Sequence, residues 1–380
     1  MGKDVSSITR LSVAGFKSIC DATELAIRPI TILAGANSSG KSSFMQPLLL
    51  LKQTMKWSFS AKTLKIGGPN VSFTSWKQLF SRNGADRMTI GVYADSFSYI
   101  RTIGADPDGK ITIDESVLNS EESTDVEIIT NVIHVPGWRQ ISRTYDMAST
   151  ESSFKGRFTN VYAASVIEDW QETIKQSRLD GHKDDPFGHR KKFDDLNRYM
   201  RDLGLASNIS AYRKSLGGKI SVLVSRYPGS DDMINMADAG FAVSQAVPVL
   251  TALLTAEPGQ LVYIEQPELH LHPKAQLALS GILVEAANRG VVTVIETHSP
   301  LFYTGVSTHI ARRNVRQNDV ILHWFEQNPE SGYTQVESVH FNINGAATNE
   351  KRTVDFSDIE LSAHRDYIQA VGDNVFGKVS

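Results

Sequence analysis

From Ile8 to Val13 the chain alternates apolar and polar positions (Ile8-Thr9-Arg10-Leu11-Ser12-Val13), the two-residue period of a half-buried strand. Phe16-Lys17-Ser18 makes a turn, and Ala22 to Ile27 resumes the alternation. Ile30-Thr31-Ile32-Leu33-Ala34 is a continuous β-branched, apolar run that predicts a fully buried strand. The apolar run from Phe44 to Leu51 then suits a packed helix. Residues 64–104 carry short β-like runs broken by Gly, Pro and Asn, and residues 105–160 are polar, with an acidic cluster at Glu115, Glu121, Glu122, Asp125 and Glu127. Residues 161–215 turn charged and helix-prone, with Trp170, Ile174, Leu196, Tyr199, Met200 and Leu203 as candidate core positions and Lys183-Asp184-Asp185-Pro186 as a break between two helices. A strand, Ile220 to Val224, follows Gly217-Gly218, and from 236 to 310 the pattern reads helix, strand, helix, strand, with Ala246 to Leu254 as a buried helix. The last 70 residues are mixed and predict no definite element.

This order predicts an α/β fold in four parts: residues 1–104, an inserted β/helical lobe at 105–217, a second α/β part at 218–310, and an extension at 311–380. Composition changes little in that picture. A 380-residue chain with 41% hydrophobic and 21% charged residues is ordinary for a globular protein, and a net charge of −3 gives no global sign of nucleic-acid affinity. The single cysteine, Cys20, excludes an intramolecular disulfide and a Cys-rich zinc site, which agrees with a reducing, cytoplasmic setting. The start Met1-Gly2-Lys3-Asp4-Val5 lacks an apolar signal core, and no apolar run approaches the roughly 20 residues of a membrane span.

The chemistry begins at Gly35-Ala36-Asn37-Ser38-Ser39-Gly40-Lys41-Ser42-Ser43, which fits the phosphate-binding pattern G-x-x-x-x-G-K-[ST]. Strand, glycine loop and helix come in the order the motif needs. Gly35 and Gly40 let the backbone turn its N–H groups toward phosphates, and the helix N-terminus adds partial positive charge. Lys41 reaches the β/γ-phosphates, and the Ser42 hydroxyl is a ligand for Mg²⁺. Hydrolysis also needs an acid at the end of a neighbouring buried strand. Leu261-Val262-Tyr263-Ile264-Glu265 supplies one, followed directly by Gln266-Pro267-Glu268-Leu269-His270-Leu271-His272-Pro273. A second buried run, Val291 to Ile295, ends in Glu296-Thr297-His298-Ser299-Pro300. Both ends fall at the carboxyl edge of a parallel sheet, where ligand sites of α/β folds form.

The stretch from Glu265 to Pro273, followed by Thr297-His298-Ser299-Pro300, resembles the ABC-type ATPases of the overcoming-lysogenization-defect (OLD), RecF and SMC group, AAA family ATPases of the AAA-15 and AAA-21 types. Phe16-Lys17-Ser18, Ala36-Asn37-Ser38-Ser39 and Leu64-Lys65-Ile66-Gly67-Gly68-Pro69 resemble the same group, and Asp238-Ala239-Gly240-Phe241-Ala242-Val243-Ser244-Gln245 resembles its signature motif. The likeness covers roughly 8–80 and 218–310. It implies a P-loop NTPase with an ABC-type head, a mixed central sheet flanked by helices, and an inserted helical lobe. It implies ATP and Mg²⁺ as cofactors, Ser42 and Glu265 on the metal side, and His298 at the switch-histidine position near the γ-phosphate. Gly240 and Ser244 would contact the nucleotide of a partner subunit in a head-to-tail homodimer. Many relatives carry an acid directly after the Walker B acid as general base. This chain has Gln266, which orients water but cannot take its proton. Either Glu265 or Glu268 assumes that role, or hydrolysis is slow and ATP mainly holds an assembly. Members without a TOPRIM nuclease domain resemble the ATPase subunits of bacterial anti-phage systems, which act with a separate effector, a nuclease or toxin. The alternatives are a RecF-like repair ATPase acting on DNA and a nucleotide-bound scaffold.

Other residues carry less. His270 and His272, two apart, would share one face of a strand, but no third metal ligand accompanies them. His189-Arg190-Lys191-Lys192 and Arg312-Arg313-Asn314-Val315-Arg316 are basic clusters, read as solvated faces with DNA contact as the alternative. Asp355, Asp358 and Glu360 form an acidic patch without a nuclease pattern. Gln78, in a Ser75-Trp76-Lys77-Gln78 turn, is a candidate Mg²⁺-sensing glutamine.

Overall fold

The computed structural model describes residues 7–55, 64–81, 86–95, 97–105, 111–118, 124–148, 157–179, 185, 188–213, 218–229 and 232–348. Its centre is a six-stranded sheet. The strand predicted from Ile30 is β3 (Ile30–Gly35), and it lies between β12 (Val292–Glu296) and β13 (Val320–Gln327), parallel to both. Beyond β12 come β11 (Leu261–Glu265) and β7 (Ile133–Val135), also parallel, and β14 (Thr334–Val339) closes the other edge antiparallel to β13. This is the mixed α/β sheet that the sequence predicts.

The continuous apolar runs are explained by burial on both faces. Ile30, Ile32, Ala34, Val262, Ile264 and Ile295 point into one core, which is filled by α5 (Phe241–Thr255), α6 (Pro273–Asn288) and α7 (Pro300–Ala311). Leu33, Tyr263, Val294 and Phe325 point into a second core with α1 (Lys41–Met55) and an antiparallel sheet. That sheet runs β2-β1-β4-β5-β6 through β1 (Ile8–Ala14), β2 (Thr23–Ala26), β4 (Arg87–Ala94), β5 (Phe97–Ala105) and β6 (Ile111–Leu118).

A short helix, α2 (Thr124–Thr130), precedes β7, and the lobe's two helices are α3 (Asn160–Leu179) and α4 (His189–Asp202), on either side of the predicted break. Trp170, Leu196, Tyr199, Met200 and Leu203 are buried there, and Ile174 is half-buried. The Asp185 carboxylate accepts the His189 and Arg190 N–H groups at 2.9 and 2.7 Å, which starts α4; Lys183, Asp184 and Pro186 lie outside the described residues. A small sheet, β10-β9-β8 (Met233–Asn235, Ile220–Ser225, Asn208–Arg213), packs beside these helices.

Sheet membership does not follow the sequence boundaries. β6 lies past residue 104 yet completes the antiparallel sheet. β7 lies within 105–217 yet forms an edge of the central sheet, and β13 and β14 lie past 310 yet flank β3. Of the acidic cluster, Glu127 is exposed, and the side chains of Glu115, Glu121, Glu122 and Asp125 lie outside the described residues.

One buried histidine joins the two sheets. His323, on β13, is fully buried, with Nδ1 2.9 Å from Ser338 Oγ and Nε2 2.8 Å from the Ala26 carbonyl. A carbonyl only accepts, so Nε2 carries the proton and Nδ1 accepts from the serine: a neutral ring with both nitrogens satisfied. Burial pushes its pKa from 6.5 down to about 4. Between those values the unfolded chain binds the extra proton and the folded chain does not, so stability is complete above pH 6.5 and is lost as the pH falls toward 4. The loss is on the order of 3 kcal/mol. Urea unfolding at a series of pH values should show this decline, and His323→Gln, less stable at neutral pH, should flatten it. An identical slope in the variant would remove His323 as its cause.

Candidate functional site

The loop after β3 is shaped by two glycines with positive φ. Gly35 has φ +134°, and a Cβ there would lie 2.1 Å from the Phe325 carbonyl oxygen on β13; Gly40 has φ +107°, and a Cβ there would lie 2.2 Å from Thr334 Oγ1. Thr334 Oγ1 in turn donates to the Ser39 carbonyl at 2.9 Å, so β14 props the loop from outside. Ala36, Asn37 and Ser38 are exposed, Ser38 with φ +62°; Ser39 is buried, and Ser42 and Ser43 are half-buried in the first turn of α1. Lys41 Nζ donates to the Gly35 and Ala36 carbonyls at 3.0 and 2.7 Å and lies 3.4 Å from Ser39 Oγ. The ammonium is thus folded into the loop's own backbone, where burial lowers its pKa against the opposing charges of Glu296 and Glu268.

Two carboxylates stand side by side above Ser42, because the β11–β12 register pairs Glu265 with Glu296. Their surroundings differ. Ser42 Oγ lies 2.8 and 2.9 Å from the two oxygens of Glu296, and the Tyr263 hydroxyl donates to Oε2 at 2.9 Å. Burial pushes the Glu296 carboxyl above the usual range, although both hydroxyls oppose this. Glu265 receives the ring N–H of buried His134 at 2.9 Å and the Gly137 N–H at 2.8 Å, while the Arg139 guanidinium donates to its backbone carbonyl. Burial pushes Glu265 up, but His134 and Gly137 outweigh it and leave the acid below the usual range. Burial keeps His134 itself neutral.

Gln266 has φ +44°, and its N–H donates to the Glu296 carbonyl at 2.7 Å. Glu268 Oε1 accepts the His298 N–H at 2.9 Å, and its buried Oε2 has no partner among the described residues. The His298 ring is half-buried beside Lys41 and the Gly35 backbone, and burial and then Lys41 lower its pKa. The structure therefore gathers the glycine loop, Glu265, Glu268 and His298 in one place. Sequence reading gave Glu296 no role, although it ends its strand just as Glu265 ends the neighbouring one; the structure puts Glu296, not Glu265, in hydrogen bonding with Ser42.

At the signature-like segment, Gly240 (φ +103°) caps α5 and Phe241 is 64% exposed, its ring centroid 5.4 Å from that of His270. Ser244 is fully buried, and its hydroxyl donates to the Phe241 carbonyl at 2.9 Å, so the surface presents Gly240 and Phe241 rather than Ser244. Arg143 grips Asp238 just ahead of this turn through two contacts of 2.7 and 2.8 Å. His270 and His272 are not on a strand. His270 is exposed in a turn, and His272 caps α6 by accepting the Lys274 N–H at 3.3 Å. Among the described residues no three His, Cys, Asp or Glu side chains are grouped to hold a metal. Gln78 binds Thr74 and lines a cavity of about 600 Å³ with Ser42, Glu265, Lys17 and Arg157. Arg312 and Arg313 are exposed; Asp355, Asp358 and Glu360 lie outside the described residues. Among the described residues no helix is long and apolar enough to cross a membrane.

A family model described as "AAA domain, putative AbiEii toxin, Type IV TA system" matches residues 30–123 and 136–303. The fold is similar to an SMC head bound to the C-winged helix domain of ScpA, with TM-score 0.53 and 13% identity, over 88% of this chain and 98% of that one. It is also similar to the SMC head domain with an extended coiled coil bound to the C-terminal domain of ScpA, derived from Pyrococcus furiosus, with TM-score 0.52 and 13% identity over 88% and 96%. No curated protein matches the chain in sequence. The fold is that of an ABC-type ATPase head.

The loop geometry predicts unequal costs for two alanines. Gly188, with φ +63° and nothing within 4 Å of an added Cβ among the described residues, should lose only about 1–2 kcal/mol as Gly188→Ala. Gly40→Ala should lose more in thermal denaturation, because it adds a collision with Thr334 to an unfavourable φ. Equal losses would mean that Thr334 does not confine the loop.

Proposed function

We propose a nucleotide-driven role for this chain, which belongs to the AAA-domain family described above: it binds ATP with Mg²⁺, hydrolyses it, and couples that cycle to the opening and closing of a head-to-tail homodimer. The observation that carries this reading is the Ser42 hydroxyl bonded to a strand-end carboxylate, Glu296, beside the glycine loop. A serine hydroxyl and a carboxylate are hard oxygen donors, the set that suits Mg²⁺. Ser42 with Glu296 would hold the ion, and Glu265 lies next to them. Mg²⁺ bound there would neutralise phosphate charge.

The protein's own groups do the rest. The loop N–H groups and the N-terminus of α1 cradle the phosphates. Lys41 exchanges the Gly35 and Ala36 carbonyls for phosphate oxygens. Gln266 orients the attacking water, and Glu268, whose Oε2 has no partner among the described residues, accepts the proton that an amide cannot. His298, held through its backbone by Glu268, faces the terminal phosphate. Gly240 and Phe241, exposed at the start of α5, meet the nucleotide of a second copy.

We place this cycle in antiviral defence, as the sensor or regulator of a separate effector, a nuclease or toxin. The toxin–antitoxin wording of the family description and the small size of the helical lobe support this over a long-armed DNA clamp. Gln266 favours one second reading, a scaffold that retains ATP without turning it over.

Lys41→Ala should weaken ATP binding on the order of 10–100-fold, measured by equilibrium titration; full affinity would refute the phosphate-loop role. Steady-state turnover with Mg²⁺ should vanish in Glu268→Gln while ATP is still bound. Normal turnover there would exclude Glu268 as the base, and bound ATP with no turnover in the parent would favour the scaffold. Phe241→Arg should bind ATP normally but fail to dimerise with it in sedimentation, and an unchanged ATP-dependent dimer would remove α5 from the interface.

A further inference from the structure

One face of the central sheet carries four polar or aromatic side chains staggered across three neighbouring strands, β7, β11 and β12. The β7–β11 register sets His134 directly opposite Tyr263, and the β11–β12 register sets Glu265 directly opposite Glu296. Tyr263 and Glu265 are two apart on β11 and so share that face. The two rings stack, with centroids 5.3 Å apart and planes 12° from parallel. Each ring then reaches diagonally to a different acid: His134 Nε2 to Glu265 Oε1 at 2.9 Å, and the Tyr263 hydroxyl to Glu296 Oε2 at 2.9 Å.

Packing alone does not account for these residues. His134 is buried, and its Nδ1 has no hydrogen-bond partner among the described residues. A phenyl ring would fill the same stacked space without an orphan nitrogen, which is costly when buried. What the imidazole adds over a phenyl is the N–H delivered to Glu265. Tyr263 is likewise fully buried, and what it adds over phenylalanine is the hydroxyl on Glu296. The two acids are like charges on facing positions, an arrangement that is unfavourable unless each is held by its own donors.

We propose that the stacked His134–Tyr263 pair are positioning residues that divide the two carboxylates: Tyr263 fixes Glu296 on Ser42 as the Mg²⁺-side acid, and His134, with the Gly137 N–H, holds Glu265 away from that position. The inference rests on the ATP reading above and adds to it which acid serves the ion and what keeps the other apart. Groups that orient metal ligands typically matter by 10–100-fold in metal affinity or activity. Loss of either donor should therefore disturb one acid and spare the other.

The test is binding of a fluorescent ATP analogue to the full chain at increasing MgCl₂, with turnover measured in parallel. Tyr263→Phe keeps the ring and the stack and should raise the Mg²⁺ concentration for half-maximal binding about 10-fold, with the melting temperature close to that of the parent. His134→Phe keeps the stack but frees Glu265 to compete for the ion. It should lower turnover about 10-fold or more at little-changed ATP affinity, and His134→Gln, which restores an N–H donor, should recover most of it. A Tyr263→Phe titration superimposable on the parent's would overturn the assignment, as would equal turnover in His134→Phe and the parent. If His134→Phe does not fold, the Tyr263→Phe titration decides alone. A parent that binds no nucleotide would instead overturn the ATP reading; a parent that binds with Mg²⁺ while both variants match it overturns only the division of the acids.

Discussion

The registers of β3, β11 and β12 are the constraint on which the site depends. They bring the end of the glycine-loop strand level with two carboxylates, and they set those carboxylates side by side. Hydrogen bonding between buried strands makes a one-residue slip expensive, since every side chain would change face. The site's geometry is therefore paid for by the apolar cores above and below the sheet, and Ser42, Glu265 and Glu296 need no flexible loop to meet.

Like charges set at one point would repel, and the surroundings resolve this by treating the acids differently. Glu296 is desolvated and held by two hydroxyls; Glu265 is held by an imidazole and a backbone N–H. The segment that provides those donors goes further. Past Gly137, the Arg139 carbonyl accepts from Gln245 on α5 at 2.9 Å, and Arg143 binds Asp238 just before α5 begins. One stretch of chain thus touches both the acid pair and the start of the signature-like helix.

Much of this was legible in the sequence. The Ile30–Ala34 and Leu261–Ile264 runs read as buried strands because they are apolar without interruption, and both are. The loop from Gly35 to Ser42 was legible because its glycines are required by positive φ and by close neighbours rather than by composition. The strands β13 and β14 were not legible. The β13 run, Val320 to Gln327, includes a histidine whose polarity is cancelled by partners on β14 and β2, which local pattern cannot show. His134 escaped notice for the same reason, lying 131 residues from its partner Glu265. Glu296 was visible as the end of a strand, but its contact with Ser42 exists only once β12 is inserted between β11 and β3. Ser244 matched a motif by spacing, yet helix geometry turns its hydroxyl inward.

The most direct measurement is a crystal structure with Mg²⁺ and a slowly hydrolysed ATP analogue. The account predicts the β- and γ-phosphates on the loop, Lys41 released from the Gly35 and Ala36 carbonyls to meet them, and Mg²⁺ held by Ser42 and Glu296 with Glu265 still on His134. Nucleotide bound away from the loop, or Mg²⁺ on Ser42 and Glu265 with Glu296 turned aside, would contradict it.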